Sequence, residues 1–348
     1  MTNVDLPYDS FLLVSFGGPE GPEDVMPFLE NVLRGKNVPH ERMLEVAEHY
    51  KRFGGVSPIN EHNRQLLASI KAEFAEHGID LPVYWGNRNW HPLLPDTLTQ
   101  MRDDGCNRSL AFFTSMFSCY SGCRQYRENI ADAQEKVGPG APIVEKVRMG
   151  FNHPGFIETL SDNVRAAIAE LGIAPEAANV MFTAHSIPMS MADNCDYAKQ
   201  LNEASRLVAE AIGVTDWRLV YQSRSGPPSQ PWLEPDVCAA IAQMDDESKL
   251  SNLIIVPIGF VSDHMEVLYD LDEEAKQLCE SRGIAMKRAA TAGTSPKFVA
   301  MIRQLVQERL GKTDKKAALG ELGPWHDVCP QDCCLYTPRR PGPPAGAR

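Results

Sequence analysis

Two groups of side chains in this 348-residue chain have the types and spacing for metal chemistry. The first is a histidine with a row of carboxylates. In Phe182–Pro188, FTAHSIP, an apolar run that reads as a strand ends at His185, and Pro188 soon stops regular structure. Ligands of open α/β sheets bind at the carboxyl ends of strands, where an imidazole can bind a metal or accept a proton. Further on, VPIGFVSDHMEVLYDLDEEAK reads as a strand, a glycine loop and a helix, with Glu266, Asp270 and Glu274 recurring every four residues on one helix face. Like charges at that spacing repel by about 0.2–0.5 kcal/mol per pair. A solvated acidic face tolerates this, and Asp272 and Glu273 on other faces fit such a face. Glu266, however, stands at the helix start beside a strand end, where burial is expected. A row of oxygen ligands leading inward suits a hydrated divalent cation. A lone histidine more often caps a turn; His185 together with this row reads as a metal-handling site.

The second group is made of cysteines. Nine are many for a chain expected in the cytoplasm, where disulfides seldom persist. Cys106, Cys195, Cys238 and Cys279 are scattered singly and read as ordinary helix or loop residues. Cys119 and Cys123 form one cluster, and Cys329, Cys333 and Cys334 another in the tail. The tail trio offers three thiolates, one short of the four that tetrahedral zinc or a [2Fe–2S] cluster takes. The fourth must come from the body, and spacing alone admits either metal.

The elements that must hold these groups are legible as an alternation. Phe11–Phe16, Pro82–Trp85, Leu110–Thr114 and Ile143–Val147 read as buried strands in the first half. Val180–Thr183, Arg218–Gln222, Leu253–Pro257 and Ile284–Lys287 repeat the reading in the second. Amphipathic stretches lie between them: Asn60–Glu76, Gly155–Leu171, Ala198–Ala211, Met265–Glu280 and Pro296–Leu310. Continuous apolar strands alternating with helices imply parallel sheets covered on both faces. The expected architecture is α/β, with two doubly wound Rossmann-like domains over residues 1–165 and 166–310 and a cysteine-containing extension over 311–348. The last residues, RRPGPPAGAR, are compositionally disordered. A net charge of −12 without a basic run excludes a nucleic-acid partner. The chain shows no signal peptide and no run near the ~20 apolar residues of a membrane span. A cytoplasmic monomer is expected.

Five segments in order, LLVSFGGPEGPEDV, FGGVSPIN, FTAHSIPMS, YQSRSGPPSQPWLEPD and GFVSDHMEVLYDLD, resemble the ferrochelatase family from Leu12 to about Leu310. The resemblance implies a lyase that inserts Fe2+ into a porphyrin held between two Rossmann-like halves. The family's metal-site histidine falls on His185 and its glutamate on Glu266, one to accept a proton and the other to deliver the metal, in either order. Asp270 and Glu274 match its outer acidic path, and Arg88 and Asn89 match positions near the outer metal site. Tyr50, Ser57 and Tyr126 match donors to the porphyrin propionates, with Arg34 close by. Two departures stand out: Phe16 replaces a tyrosine that can meet the metal from the distal face, and His49 replaces an arginine. The tail and CRQYREN resemble the actinobacterial branch, which implies coproporphyrin III as substrate, coproheme as product and haem b biosynthesis as the route, with protoporphyrin IX as the alternative substrate. The same branch implies a [2Fe–2S] cluster on Cys329, Cys333, Cys334 and Cys123, with Cys119 as competitor for the last position. Transient contact with neighbouring haem-pathway enzymes is a further expectation. Two other readings compete: a non-catalytic iron–sulfur sensor that binds a tetrapyrrole, and a cobalt or nickel chelatase. The first leaves His185 and Glu266 unexplained, and the second calls for more histidines than the one seen here.

Overall fold

The computed structural model describes residues 7–35 and 38–336. The terminal RRPGPPAGAR lies outside the described residues. Eight parallel strands form two sheets of four. The first contains β1 (Ser10–Ser15), β2 (Val83–Asn87), β3 (Arg108–Phe113) and β4 (Ile143–Lys146), in the order β2-β1-β3-β4. The second contains β5 (Val180–His185), β6 (Trp217–Gln222), β7 (Asn252–Val256) and β8 (Ala285–Arg288), in the order β6-β5-β7-β8. Every expected strand is present, within a few residues at its ends. β1 and β7 are buried along their whole length, as central parallel strands with helices on both faces must be.

The strand order determines where a ligand can sit. In each sheet the chain winds one way from the first strand and the other way afterwards, so crevices open past β1 and β3, and past β5 and β7. Phe16 follows β1, the Cys119–Cys123 segment follows β3, His185 ends β5, and Glu266 lies beyond β7.

The largest core cluster spans both sheets. Helix Pro296–Arg309 joins them: its Phe298 meets Phe112 of β3 at 6.0 Å and Phe156 of helix Pro154–Leu171 at 6.1 Å. Arg303 Nε of the same helix reaches Glu73 Oε1 at 2.7 Å, and Arg309 donates to the Lys146 carbonyl at 2.9 Å. Glu308 forms a two-pronged ion pair with Arg148, 2.7 and 2.9 Å, with both side chains excluded from water. The last described element of the second half thus covers the first.

Beyond Leu310 the chain is irregular, as its lost periodicity implies, yet it is docked. Arg148 donates to the Ala317 carbonyl at 2.7 Å, and Asn152 Nδ2 donates to those of Leu319 and Gly323 at 2.9 and 2.8 Å. Among the described residues no helix is long and apolar enough to cross a membrane.

Candidate active site and cysteine centre

β5 delivers His185 to the carboxyl edge of its sheet. Its Nδ1 donates to the Ser186 carbonyl, which leaves Nε2 facing Glu266 Oε1 at 3.6 Å. Tyr197 Oη donates to the His185 carbonyl at 3.0 Å and fixes the strand end. Burial alone would hold this imidazole low; the Glu266 carboxylate, the Ser186 carbonyl and Asp270 outweigh it and raise its pKa to about 9. Near neutral pH the pair is therefore an imidazolium–carboxylate.

The carboxylate row departs from expectation in two ways. Met265–Val267 is a single α turn, Leu268–Ala275 is π-helical, and α geometry resumes over Lys276–Arg282. The widened turn is a frequent mark of functional sites. Glu266 is also less buried than its place at the helix start implies, with 47% of its side chain exposed. The enclosed acid is Asp270. Burial, with Glu266 and Glu274 adding, raises its pKa to about 7, against hydrogen bonds from Ser223 and Gln222 that pull it down. Gln222 Nε2 reaches Asp270 Oδ2 at 3.2 Å and the Glu266 carbonyl at 3.1 Å. Ser223 holds a φ of 60°, a value costly for a residue with a side chain, and there its hydroxyl donates to Asp270. Glu274, on the exposed side of the helix, is raised by burial against a hydrogen bond from Tyr269.

The other two acids of the helix are matched by cations. Arg288 of β8 forks between Asp272 at 2.7 and 2.8 Å and Asp263 at 3.0 and 3.2 Å. Arg52 holds Glu273 at 2.5 Å. The first ties the loop after β7 to the π-helix, and the second ties helix His40–Arg52 of the first half to it. His49 stacks on Tyr269 at 3.8 Å and 9°, and burial, then Arg52 and Arg42, hold its pKa below the usual value. His49 therefore brings no positive charge in place of the family's arginine.

A second histidine, which sequence reasoning missed, completes the group. His264 Nδ1 accepts from the Glu266 backbone N–H at 3.2 Å and lies 4.0 Å from its carboxylate. Burial keeps its pKa below normal despite Glu266. In DHME it reads as one more residue of a helix start, and only the fold turns it toward Glu266.

The first half packs its own residues against this group through Met265. Tyr50 is buried, and burial together with the charge of Glu266 raises its hydroxyl pKa. Ser57 is buried, its N–H bonded to the Pro19 carbonyl at 2.9 Å, where Gly55 in a left-handed conformation passes so close to Pro22 that a Cβ would lie 2.5 Å from it. Phe16 meets Phe28 edge-on at 6.3 Å. Arg88 lies over Phe16 at 5.6 Å and over Tyr126 at 4.4 Å, donates to Asn129 Oδ1 at 2.7 Å, and has its pKa lowered by burial. Tyr126 is buried against Phe113, with Thr114 and Arg88 as hydrogen-bond partners. Asn89 is bound through its backbone to Phe16 and Asn31. Among the described residues no hydrogen bond or ion pair joins Arg88 or Asn89 to Asp270 or Glu274. Arg34 is exposed in the turn after helix Val25–Val32.

The tail cysteines converge on the segment after β3. Cys123 and Cys329 are hydrogen-bond partners, and that bond, against burial and with Lys146, Arg127 and His326 helping, holds the Cys329 thiol well below its usual value. Cys333 Sγ lies 3.5 Å from Cys334 Sγ. Arg124 donates to the Gln331 and Cys333 carbonyls at 2.9 and 3.2 Å. Cys119 is engaged otherwise: its sulfur accepts from Gly122 N at 3.1 Å and caps the π turn Tyr120–Arg124. Cys195, set aside in sequence as a scattered residue, lies within electrostatic reach of Cys119, Cys333 and Cys334. The residues fit a metal centre: buried and half-buried thiols from two chain segments meet beside cations that offset thiolate charge.

Two parallel sheets with a histidine–glutamate pair at their carboxyl edge define a chelatase-type α/β protein. SirB from Bacillus subtilis with Fe3+ shares the fold, with a TM-score of 0.54 over 89% of this chain and 98% of that one at 13% identity. A family model described as Ferrochelatase matches residues 8–310, and the chain belongs to that family: it is a ferrochelatase, a porphyrin metal chelatase of the lyase class. It is 75% identical over 342 residues to the ferrochelatase of Rhodopirellula baltica, covering 98% of this chain and 97% of that one. It is 50% identical over 358 residues to the coproporphyrin III ferrochelatase of Streptomyces coelicolor, covering 96% and 95%.

Proposed function

We propose that this ferrochelatase works in the cytoplasm, inserting Fe2+ into coproporphyrin III to give coproheme on the route to haem b. The observation that carries the site is the facing of His185 Nε2 and Glu266 Oε1 at 3.6 Å. Insertion exchanges two pyrrole protons for one Fe2+, so the site must hold a dication and lose protons. Fe2+ bound by Glu266 and His185 displaces the imidazole proton, because metal and proton compete for one lone pair. His264, uncharged near neutral pH, is an acceptor beside Glu266. Asp270, with a pKa of about 7, can take a proton and release it, and Glu274 continues the path toward solvent. In this reading residues 166–310 carry the insertion chemistry, residues 1–165 hold the porphyrin through Tyr50, Ser57 and Tyr126, and residues 311–348 form a separate extension. Phe16 offers no oxygen, so the distal face is a packing surface beneath Arg88.

The substrate rests on the names of the relatives. Streptomyces coelicolor and Nocardia farcinica proteins, 50% and 46% identical, are coproporphyrin III ferrochelatases. Anaerobic assays with Fe2+ and each porphyrin test the assignment: higher kcat/KM with coproporphyrin III supports it, and equal or better efficiency with protoporphyrin IX rejects it.

We further propose that the tail centre is a [2Fe–2S] cluster, its thiols drawn from Cys123, Cys329, Cys333 and Cys334. Cys123 is favoured over Cys119 by its bond to Cys329. Such a cluster, when bound, anchors the tail to the body; Fe2+ insertion involves no net redox change.

A further inference from the structure

A [2Fe–2S] centre takes four protein ligands, and five donors gather here. The fifth is His326. Its ligand nitrogen and the sulfurs of Cys329 and Cys333 all lie within 4.8 Å of one another. His326 Nε2 is buried and makes no hydrogen bond of ordinary geometry among the described residues, while the ring faces the Cys329 thiol, an arrangement that costs about 1–3 kcal/mol unless something binds the atom. The ring is also held in place. Trp325 stands edge-on to Phe151 at 5.9 Å, His326 leans on Trp325 at 5.1 Å, and Lys316 pairs with Asp327 on the other side.

Cys334 is placed differently from the other donors. Its backbone has a φ of 57°, a conformation non-glycine residues rarely adopt. Its thiol is buried within reach of Cys195 and Cys119 as well as Cys333. Cys333 too lies within electrostatic reach of Cys195, so it is the left-handed backbone that sets Cys334 apart from the other four donors.

We propose that His326 is a ligand of the tail centre, together with Cys123, Cys329 and Cys333, and that Cys334 is its spare donor. The inference rests on the [2Fe–2S] reading above. A neutral imidazole in place of a thiolate makes the iron it binds easier to reduce, as in centres where histidines replace cysteines.

The test begins with the full-length protein, purified and reconstituted anaerobically and analysed for iron and sulfide. Pulsed electron paramagnetic resonance of the reduced cluster should then show one strongly coupled 14N nucleus. That coupling should vanish in His326→Ala, whose midpoint potential should fall as Cys334 takes the vacated position. Cys334→Ser should retain cluster and nitrogen coupling alike. A wild-type cluster of about two irons and two sulfides without a strongly coupled nitrogen, or with one that survives His326→Ala, overturns the proposal and leaves the cluster reading standing. The wild-type spectrum decides even if a variant misfolds. If reconstitution yields no iron and sulfide, the [2Fe–2S] reading falls. X-ray absorption of the zinc-loaded protein then decides the ligand: one nitrogen with three sulfurs upholds His326, while four sulfurs, or no bound zinc, overturns it.

Discussion

Replacing Glu266 by glutamine leaves the shape of the site nearly intact and removes the charge that sets the state of His185. In the parent protein that imidazole titrates at about 9 because the Glu266 carboxylate overcomes burial. Without the carboxylate burial dominates, and the ring should titrate below the ordinary histidine value of about 6.5. At pH 7.5 His185 should thus change from mostly protonated to mostly neutral, which 15N-detected imidazole titration reads directly. Stability should follow with a definite sign. A folded pKa above the unfolded one gives stabilisation fully present below about pH 6.5 and lost as pH rises through about 9. Moving a histidine that far corresponds to about 3 kcal/mol at full strength. The ring is 33% and the carboxylate 47% exposed, so solvent screening leaves about 1 kcal/mol. For a chain of this size that is about 1–2 °C of Tm between pH 6.5 and 9, present in the parent and missing in Glu266→Gln. Iron insertion, followed anaerobically by the metalloporphyrin spectrum, should fall by about 10²–10⁴ while porphyrin still binds. A His185 pKa still near 9 in the variant, or near-normal turnover, refutes this account of the pair.

Three further outcomes follow from other parts of the molecule. Protoporphyrin IX has vinyl groups in place of two propionates, so buried donors left without a partner should cost about 1–3 kcal/mol each, read as the ratio of kcat/KM between the two porphyrins. Cys123→Ser should bleach the protein and lower its Tm before its specific activity falls, whereas Cys119→Ser should keep the colour; the reverse pattern moves the thiol supplied by the body to Cys119. Arg148→Ala strands Glu308 without its water-excluded partner and should cost about 3–5 kcal/mol in urea unfolding; a loss below about 1 kcal/mol would show that the pair does not secure the tail.

The strands were legible because each is a short apolar run between turn residues, a local signal that parallel packing simply uses. His185 was legible for the same reason, as the polar end of such a run. What escaped depends on distance or on winding. A π turn adds a residue per turn without altering the apolar and polar pattern enough to show, so Leu268–Ala275 read as α-helix and Asp270 as one member of an even row. His264 and Ser223 acquire their partners from residues that the fold alone places beside them. The tail has no periodicity; its position is set by Arg148 and Asn152, more than 150 positions earlier, and no local pattern encodes such pairings. For the same reason Cys195 read as an ordinary scattered residue and His326 went unremarked.

The covering of the first sheet by helix Pro296–Arg309 also sets the order of events at the ribosome. β1 to β4 leave the exit tunnel long before the helix that seals them, so the faces of Phe112 and Phe156 that await Phe298 are bare through most of synthesis. At about 5–20 residues per second that interval lasts roughly ten seconds or more. A nascent chain stalled in the second half carries a finished sheet with one open side, a target for chaperones and proteases that the completed protein no longer presents.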